Sequence, residues 1–193
     1  NTLTKLHDIF DVWFESGTSW YAVMQQRELG YPSDLYSEGG DQHRGWFQLS
    51  MLPALAVTGQ TPFKSVITHG FMVAKDGRKM SKSGGNALGV DELLKDYGAD
   101  VCRWWVSSLA YDNDIKVDMS FFDVASESYR KVRNTARFLL GNIGEESTAP
   151  PPPNSIDGWV LGELAAMSNK VIGAFQVYEF RVAHQTLYDF CND

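Results

Sequence analysis

Residues 64–86 read KSVITHGFMVAKDGRKMSKSGGN. The stretch from Lys64 to Val73 carries Val66, Ile67, Phe71 and Val73 and predicts a strong strand. Lys75-Asp76-Gly77 predicts a hairpin turn, and a polar loop follows at 79–88. Within that loop Lys79-Met80-Ser81-Lys82-Ser83 sets two ammonium groups three residues apart among small residues, ahead of Gly84-Gly85-Asn86. Such a loop can close over a polyphosphate and bring both charges to it. Helices are expected at 91–97 and 98–109, separated by Gly98.

Upstream, residues 1–17 read as loop with a short extended stretch, and residues 18–29 as a helix ending at Gly30 before the Pro32-Ser33 turn. Leu35 to Glu38 predicts a short strand running into Gly39-Gly40. A long helix is expected over 43–58, stopped by Gly59 and kinked by Pro53. Strand, helix, strand, loop, helix is an α/β order and implies a parallel sheet. Downstream of residue 118 the pattern changes. Ser120 with Asp123 resembles a capping box, and the apolar positions from Phe122 to Leu140 fall largely on one helical face. Ala149 to Pro153 is a proline-rich connector, and 156–191 reads as further helix. The expected division is α/β over 1–118 and helical over 119–193.

The 193 residues carry a formal charge of −7 and a pI near 5.0, which excludes a generic nucleic-acid binder; contact with RNA has to come from a local basic patch. Arg130, Lys131, Arg133 and Arg137 form such a patch, uninterrupted by acid. It reads either as a phosphate-contacting face or as a solvated helix with cations near its negative end. Cys102 and Cys191 have no second Cys or His at ligand spacing, so no zinc site is expected within the chain. Isolated cysteines fit a reducing, cytoplasmic setting, and no apolar run approaches spanning length. The chain opens at Asn1 on a polar stretch and reads as a piece of something longer.

Lys79-Met80-Ser81-Lys82-Ser83 matches the signature of the class I aminoacyl-tRNA synthetases letter for letter, except that Gly84 stands where a leucine usually follows. Two further blocks resemble the isoleucine-specific branch of that family. Residues 38–47, from Glu38 to Phe47, follow a strand end and a Gly-Gly, where open α/β sheets place ligands. Residues 11–17, from Asp11 to Gly17, differ from the usual pattern by Glu15 in place of Asp.

The resemblance implies the second half of a Rossmann-like catalytic domain, then the start of an anticodon-binding helical domain. It implies ATP (with Mg2+), isoleucine and tRNA(Ile) as substrates. Isoleucine's carboxylate attacks the α-phosphorus, pyrophosphate leaves, and the protein contributes positioning and charge rather than a nucleophile. It further implies that Lys79 and Lys82 act on the phosphates, with Met80, Ser81, Ser83, His69, Gly70 and Phe71 along the nucleotide. Glu38, Gly39, Asp41 and Gln42 would hold the aminoacyl-adenylate, and Trp13 and Trp46 would wall the side-chain pocket. Read without the family, Asp41 is equally a helix cap, His69 a structural histidine, and either Trp a core residue. The family's other signature, His-Ile-Gly-His, is absent, so the isolated chain is expected to be inactive. A non-catalytic RNA-binding module derived from a synthetase is the alternative.

Overall fold

The computed structural model describes residues 4–78, 80, 88–144 and 149–192. It divides into two compact units. One holds Asn1–Phe71 with Tyr111–Asp114; the other holds Met72–Ala110 with Ile115–Asp193.

In the first unit, strand β1 (Ser33–Gly39) and strand β2 (Phe63–His69) pair in parallel, with helix α2 (Trp46–Thr58) between them in sequence. Parallel neighbours need such a crossover, and α2 supplies it. Gly59 ends the helix in the left-handed region at φ 71°, and its N–H donates to Leu55 O at 3.0 Å. The core of this unit is built from Trp20, Tyr36, Phe47, Ala54 and Ile67. The buried Ser50 and Tyr36 hydroxyls satisfy each other at 3.0 Å. Burial pushes the Tyr36 phenol above its usual range.

The helix expected over 43–58 starts only at Trp46, because Gly40–Arg44 forms a 3-10 turn, and the elements before it differ as well. Residues 12–17 form a short helix, α1 (Val12–Gly17), where loop was expected: the Asp11 carboxylate accepts from the Trp13 N–H at 2.8 Å and starts it. Helix over 18–29 contracts to a π-helical stretch at Trp20–Gln25, where the Gln26 N–H reaches Tyr21 O at 3.0 Å.

In the second unit, strands β3 (Met72–Val73) and β4 (Ile115–Lys116) pair in parallel. Helix α3 (Val90–Ser107) is interrupted at Gly98, whose φ of 79° and ψ of 162° only glycine adopts readily, as its position in the sequence implied. Helix α4 (Met119–Gly141) follows, then α5 (Ile156–Gln176) and α6 (Phe180–Asn192). Val101, Trp105, Val117, Phe122 and Ala125 form the core, with Trp105 and Phe122 rings 4.5 Å apart.

The single strand expected over 64–73 is two, because the chain breaks at Gly70. The turn at Gly77 (φ 82°) is present, closed by the Ala74 N–H on Arg78 O at 2.8 Å. β3 nevertheless pairs in parallel with β4, so no hairpin is made there among the described residues. The cap of α4 is Asp118 rather than Ser120. Asp118 has the extended backbone a cap requires, and its Oδ1 accepts from the Ser120 N–H at 3.0 Å. Ser120 and Lys75 (3.1 Å) together lower the Asp118 carboxyl to about 2. Asp123 instead accepts from Tyr97 Oη at 2.9 Å. The helix expected over 156–191 is broken at Tyr178, which takes a φ of 62°.

Candidate active site

In the first unit β1 and β2 end side by side. Their register sets Glu38 opposite Thr68 and Gly39 opposite His69. Two segments singled out separately in the sequence, 38–42 and 69–71, therefore meet at the C-terminal edge of one parallel pair. Carboxyl ends of parallel strands, where backbone groups run out of ladder partners, are where α/β folds hold ligands.

The chain leaves β1 through a 3-10 turn, Gly40–Arg44, that presents Asp41 and Gln42. Glu38 is exposed and pairs with no cation among the described residues. Gly39 is buried beneath two neighbours: a Cβ there would stand 2.9 Å from the Asp41 carboxylate and 3.2 Å from the Phe71 ring. Gln42 works in two directions. Its Oε1 accepts from the Trp46 N–H at 2.8 Å, at the start of α2, and its Nε2 lies 3.4 Å from Asp41 Oδ2. The reading of Asp41 as the cap of this helix is thereby corrected, since Gln42 occupies that donor and leaves Asp41 exposed.

Across the strand pair, His69 Nδ1 lies 2.9 Å from Gly70 O, an arrangement that needs the hydrogen on Nδ1. The Gly70 N–H donates to Tyr111 O at 2.8 Å, and the Phe71 N–H to Asp114 Oδ1 at 2.8 Å. A Cβ on Gly70 would lie 2.2 Å from the Asn113 carbonyl. Only glycine permits that approach, and this ends β2.

The two candidate pocket tryptophans are placed differently. Trp46 stacks on Tyr36, with centroids 4.2 Å apart and planes 10° from parallel, and its Nε1–H donates to Ser16 O at 3.0 Å. Trp13 lies on α1 and is 45% exposed. α1 itself is seated against α2 at Gly17, where a Cβ would be 2.5 Å from Leu49 O.

Of the signature loop, Lys79, Ser81, Lys82 and Ser83 lie outside the described residues. Met80 packs partly buried against the core of the second unit. The four basic residues on α4 separate. Lys131 donates to Asn192 Oδ1 and stands 5.8 Å over the Tyr188 ring, both on α6. Arg130, Arg133 and Arg137 are exposed, and no carboxylate pairs with them among the described residues. Their spacing of three and four puts them along one side of the helix. The described residues contain no cluster of three or more His, Cys, Asp or Glu able to hold a metal, and no helix long and apolar enough to cross a membrane.

Tyr36 and the Tyr111–Asp114 segment shape this site without having been singled out. No motif or period marks either one; Asp114 is 43 residues from the amide it binds.

The family described as tRNA synthetases class I (I, L, M and V) matches residues 1–118. An isoleucine–tRNA ligase of Syntrophomonas wolfei is 44% identical over 99% of this chain. Those of Desulforudis audaxviator and Prochlorococcus marinus MIT 9312 are 45% and 46% identical over 97% and 95% of it. The chain spans 21% of the length of each of these relatives. Among solved structures, the LeuRS of Agrobacterium radiobacter K84, in a ternary complex with tRNA and LeuAMS, aligns with a TM-score of 0.76. That alignment covers 91% of this chain and 25% of that one at 19% identity, a likeness of fold.

Proposed function

We propose, from the premise that this chain belongs to the class I tRNA synthetase family (I, L, M and V), that it is the part of an isoleucine–tRNA ligase that carries the second half of the catalytic site. The parent protein activates isoleucine with ATP to isoleucyl-adenylate and transfers it to tRNA(Ile) in the cytoplasm. Mg2+ enters with ATP as part of the substrate. The observation that carries this reading is the register that brings Gly39 beside His69, with Glu38 exposed next to them.

In this reading residues 1–118 are the second half of the Rossmann-like catalytic domain and 119–193 begin the anticodon-binding helical domain. The end of the family match at residue 118 supports that division. Glu38 and Asp41 accept from the α-ammonium and ribose hydroxyls of the adenylate. Gly39, lacking a side chain, lets the adenylate approach the backbone, and Gln42 steadies Asp41. The turn at His69, Gly70 and Phe71 flanks the adenine. Trp46, with Trp13, borders the isoleucine side chain. Lys79 and Lys82, with Met80, Ser81 and Ser83 forming their loop, bring charge to the phosphates as pyrophosphate departs. Arg130, Arg133 and Arg137 contact tRNA phosphates.

The test is ATP–pyrophosphate exchange by the full-length protein with isoleucine, valine, leucine and methionine in turn. Exchange is expected to be strongest with isoleucine. A preference for leucine or methionine would overturn the isoleucine assignment, and no amino-acid-dependent exchange would overturn the enzymatic one.

A further inference from the structure

We propose that Asp114 is a positioning residue for the nucleotide end of this site; the proposal rests on the functional reading above. β1 and β2 stay in register only as far as Gly39 and His69. Beyond that pair the N–H groups of Gly70 and Phe71 have no strand partner among the described residues, while the Phe71 ring lies against Gly39. A backbone that is to flank a ligand cannot swing between solvent partners.

The segment 111–114, distant in sequence, supplies the missing partners. Tyr111 O takes the Gly70 N–H at 2.8 Å, and the Asp114 carboxylate takes the Phe71 N–H at 2.8 Å. Gly70 closes directly onto the Asn113 backbone. Two hydrogen bonds, together with the close backbone approach at Gly70, hold the turn. Its last side chain, Phe71, is thereby set 3.2 Å from the place where a Cβ on Gly39 would stand. Asp114 makes the only one of these ties that depends on a side chain, so it is the one that substitution removes cleanly. It acts through the Phe71 amide and does not touch the reacting atoms.

The experiment uses the full-length protein. Asp114→Ala is expected to raise the KM for ATP in isoleucine-dependent pyrophosphate exchange by roughly five- to tenfold, the scale of one lost hydrogen bond. The KM for isoleucine should stay within about twofold, given that the tie lies at the nucleotide end. Asp114→Asn keeps an oxygen that accepts from the Phe71 N–H and should restore the ATP KM to near wild type. Gly70→Ala, which forces the turn off Asn113, should reproduce the Asp114→Ala defect. Amide hydrogen exchange provides a readout independent of activity: the Phe71 amide should be protected in the wild type and Asp114→Asn, and exposed in Asp114→Ala.

An unchanged ATP KM in Asp114→Ala, or equal defects in the Ala and Asn variants, would overturn the proposal. So would a Phe71 amide unprotected in the wild type. A protected Phe71 amide in a wild type that shows no isoleucine-dependent exchange would instead overturn the functional reading, and the assignment of Asp114 to a nucleotide site with it.

Discussion

Trp46 lies face to face on Tyr36, with ring centroids 4.2 Å apart and planes 10° from parallel. One indole face and the Nε1–H, which donates to Ser16 O, are therefore committed to the protein. In the proposed function only the other face and the ring edge are left to border the isoleucine side chain. The stack serves two purposes: it packs α2 onto β1, and it holds a rigid apolar surface still.

Trp46→Ala is expected to weaken isoleucine binding by about 3 kcal/mol and to destabilise the first unit, the scale of deleting a largely packed aromatic. Trp46→Phe keeps the stack, loses the Ser16 bond and should cost about 1 kcal/mol. The check is the isoleucine KM against the ATP KM in pyrophosphate exchange. Equal weakening of both would show that Trp46 serves only the core.

Lys82→Ala should slow adenylate formation by roughly 10²–10³-fold, the loss expected for one donor aimed at transition-state charge. Isoleucine affinity should change little. An unaltered rate of pyrophosphate exchange would remove Lys82 from the phosphate site.

The separation of the basic residues on α4 predicts which of them feel tRNA. Arg133→Ala and Arg137→Ala should each weaken tRNA binding and lower the slope of log K against log salt by roughly one. Lys131 is held by Asn192 and Tyr188 on α6, so Lys131→Ala should alter the slope less. If all three variants behave alike in a salt titration, the helix binds through its general charge and not through the arginine side.

His184 on α6 packs against Trp104 on α3, ring centroids 4.0 Å apart, with Nε2 buried and without a hydrogen-bond partner among the described residues. Burial lowers its pKa below the usual value near 6.5. The unfolded chain then takes up the proton at a higher pH than the folded one. Stability is thus unaffected above about pH 7 and falls as the pH drops through 6.5 toward the lower folded value. His184→Phe keeps the ring contact without a titrating group. It should flatten the fall in melting temperature between about pH 7.5 and 5.5. The same fall in both proteins would assign it to other groups.

The chain alone should form no isoleucyl-adenylate and should self-associate. In the proposed function Lys79 and Lys82 are the cations this chain brings to the triphosphate, and a site open to water would weaken each contact. Apolar side chains also lie bare on both units, among them Ile9 at 91% and Val57 at 73% exposed in the first, and Leu140 at 71% and Ile156 at 76% in the second. Pyrophosphate exchange and size-exclusion chromatography on the purified chain check both expectations. Clear turnover would mean that the catalytic groups have been misplaced.

Much of this protein could be read from residues close together in the chain, because the physics there is local. Gly59 and Gly98 punctuate helices through their own backbone freedom, and both breaks stand where the sequence set them. The α/β order and the parallel pairing follow from periodicity and strand ends; the candidate segments 38–42 and 69–71 are marked by the family resemblance, the first also by its strand end and its residue chemistry. Other features depend on partners far away. The strand expected over 64–73 breaks because Asn113 lies against Gly70, a contact invisible to any window around either residue. Gln42 rather than Asp41 meets the start of α2 because the chain enters that helix through a 3-10 turn. Lys131 parts from its neighbouring arginines because α6, some 60 residues on, presents Asn192 and Tyr188 to it. Composition and spacing thus determined which chemical groups are on hand. Which of them face one another, and which are spent on holding the fold, was decided by register and close packing between distant segments, since a hydrogen bond or a van der Waals contact depends on separation in space and not on separation along the chain.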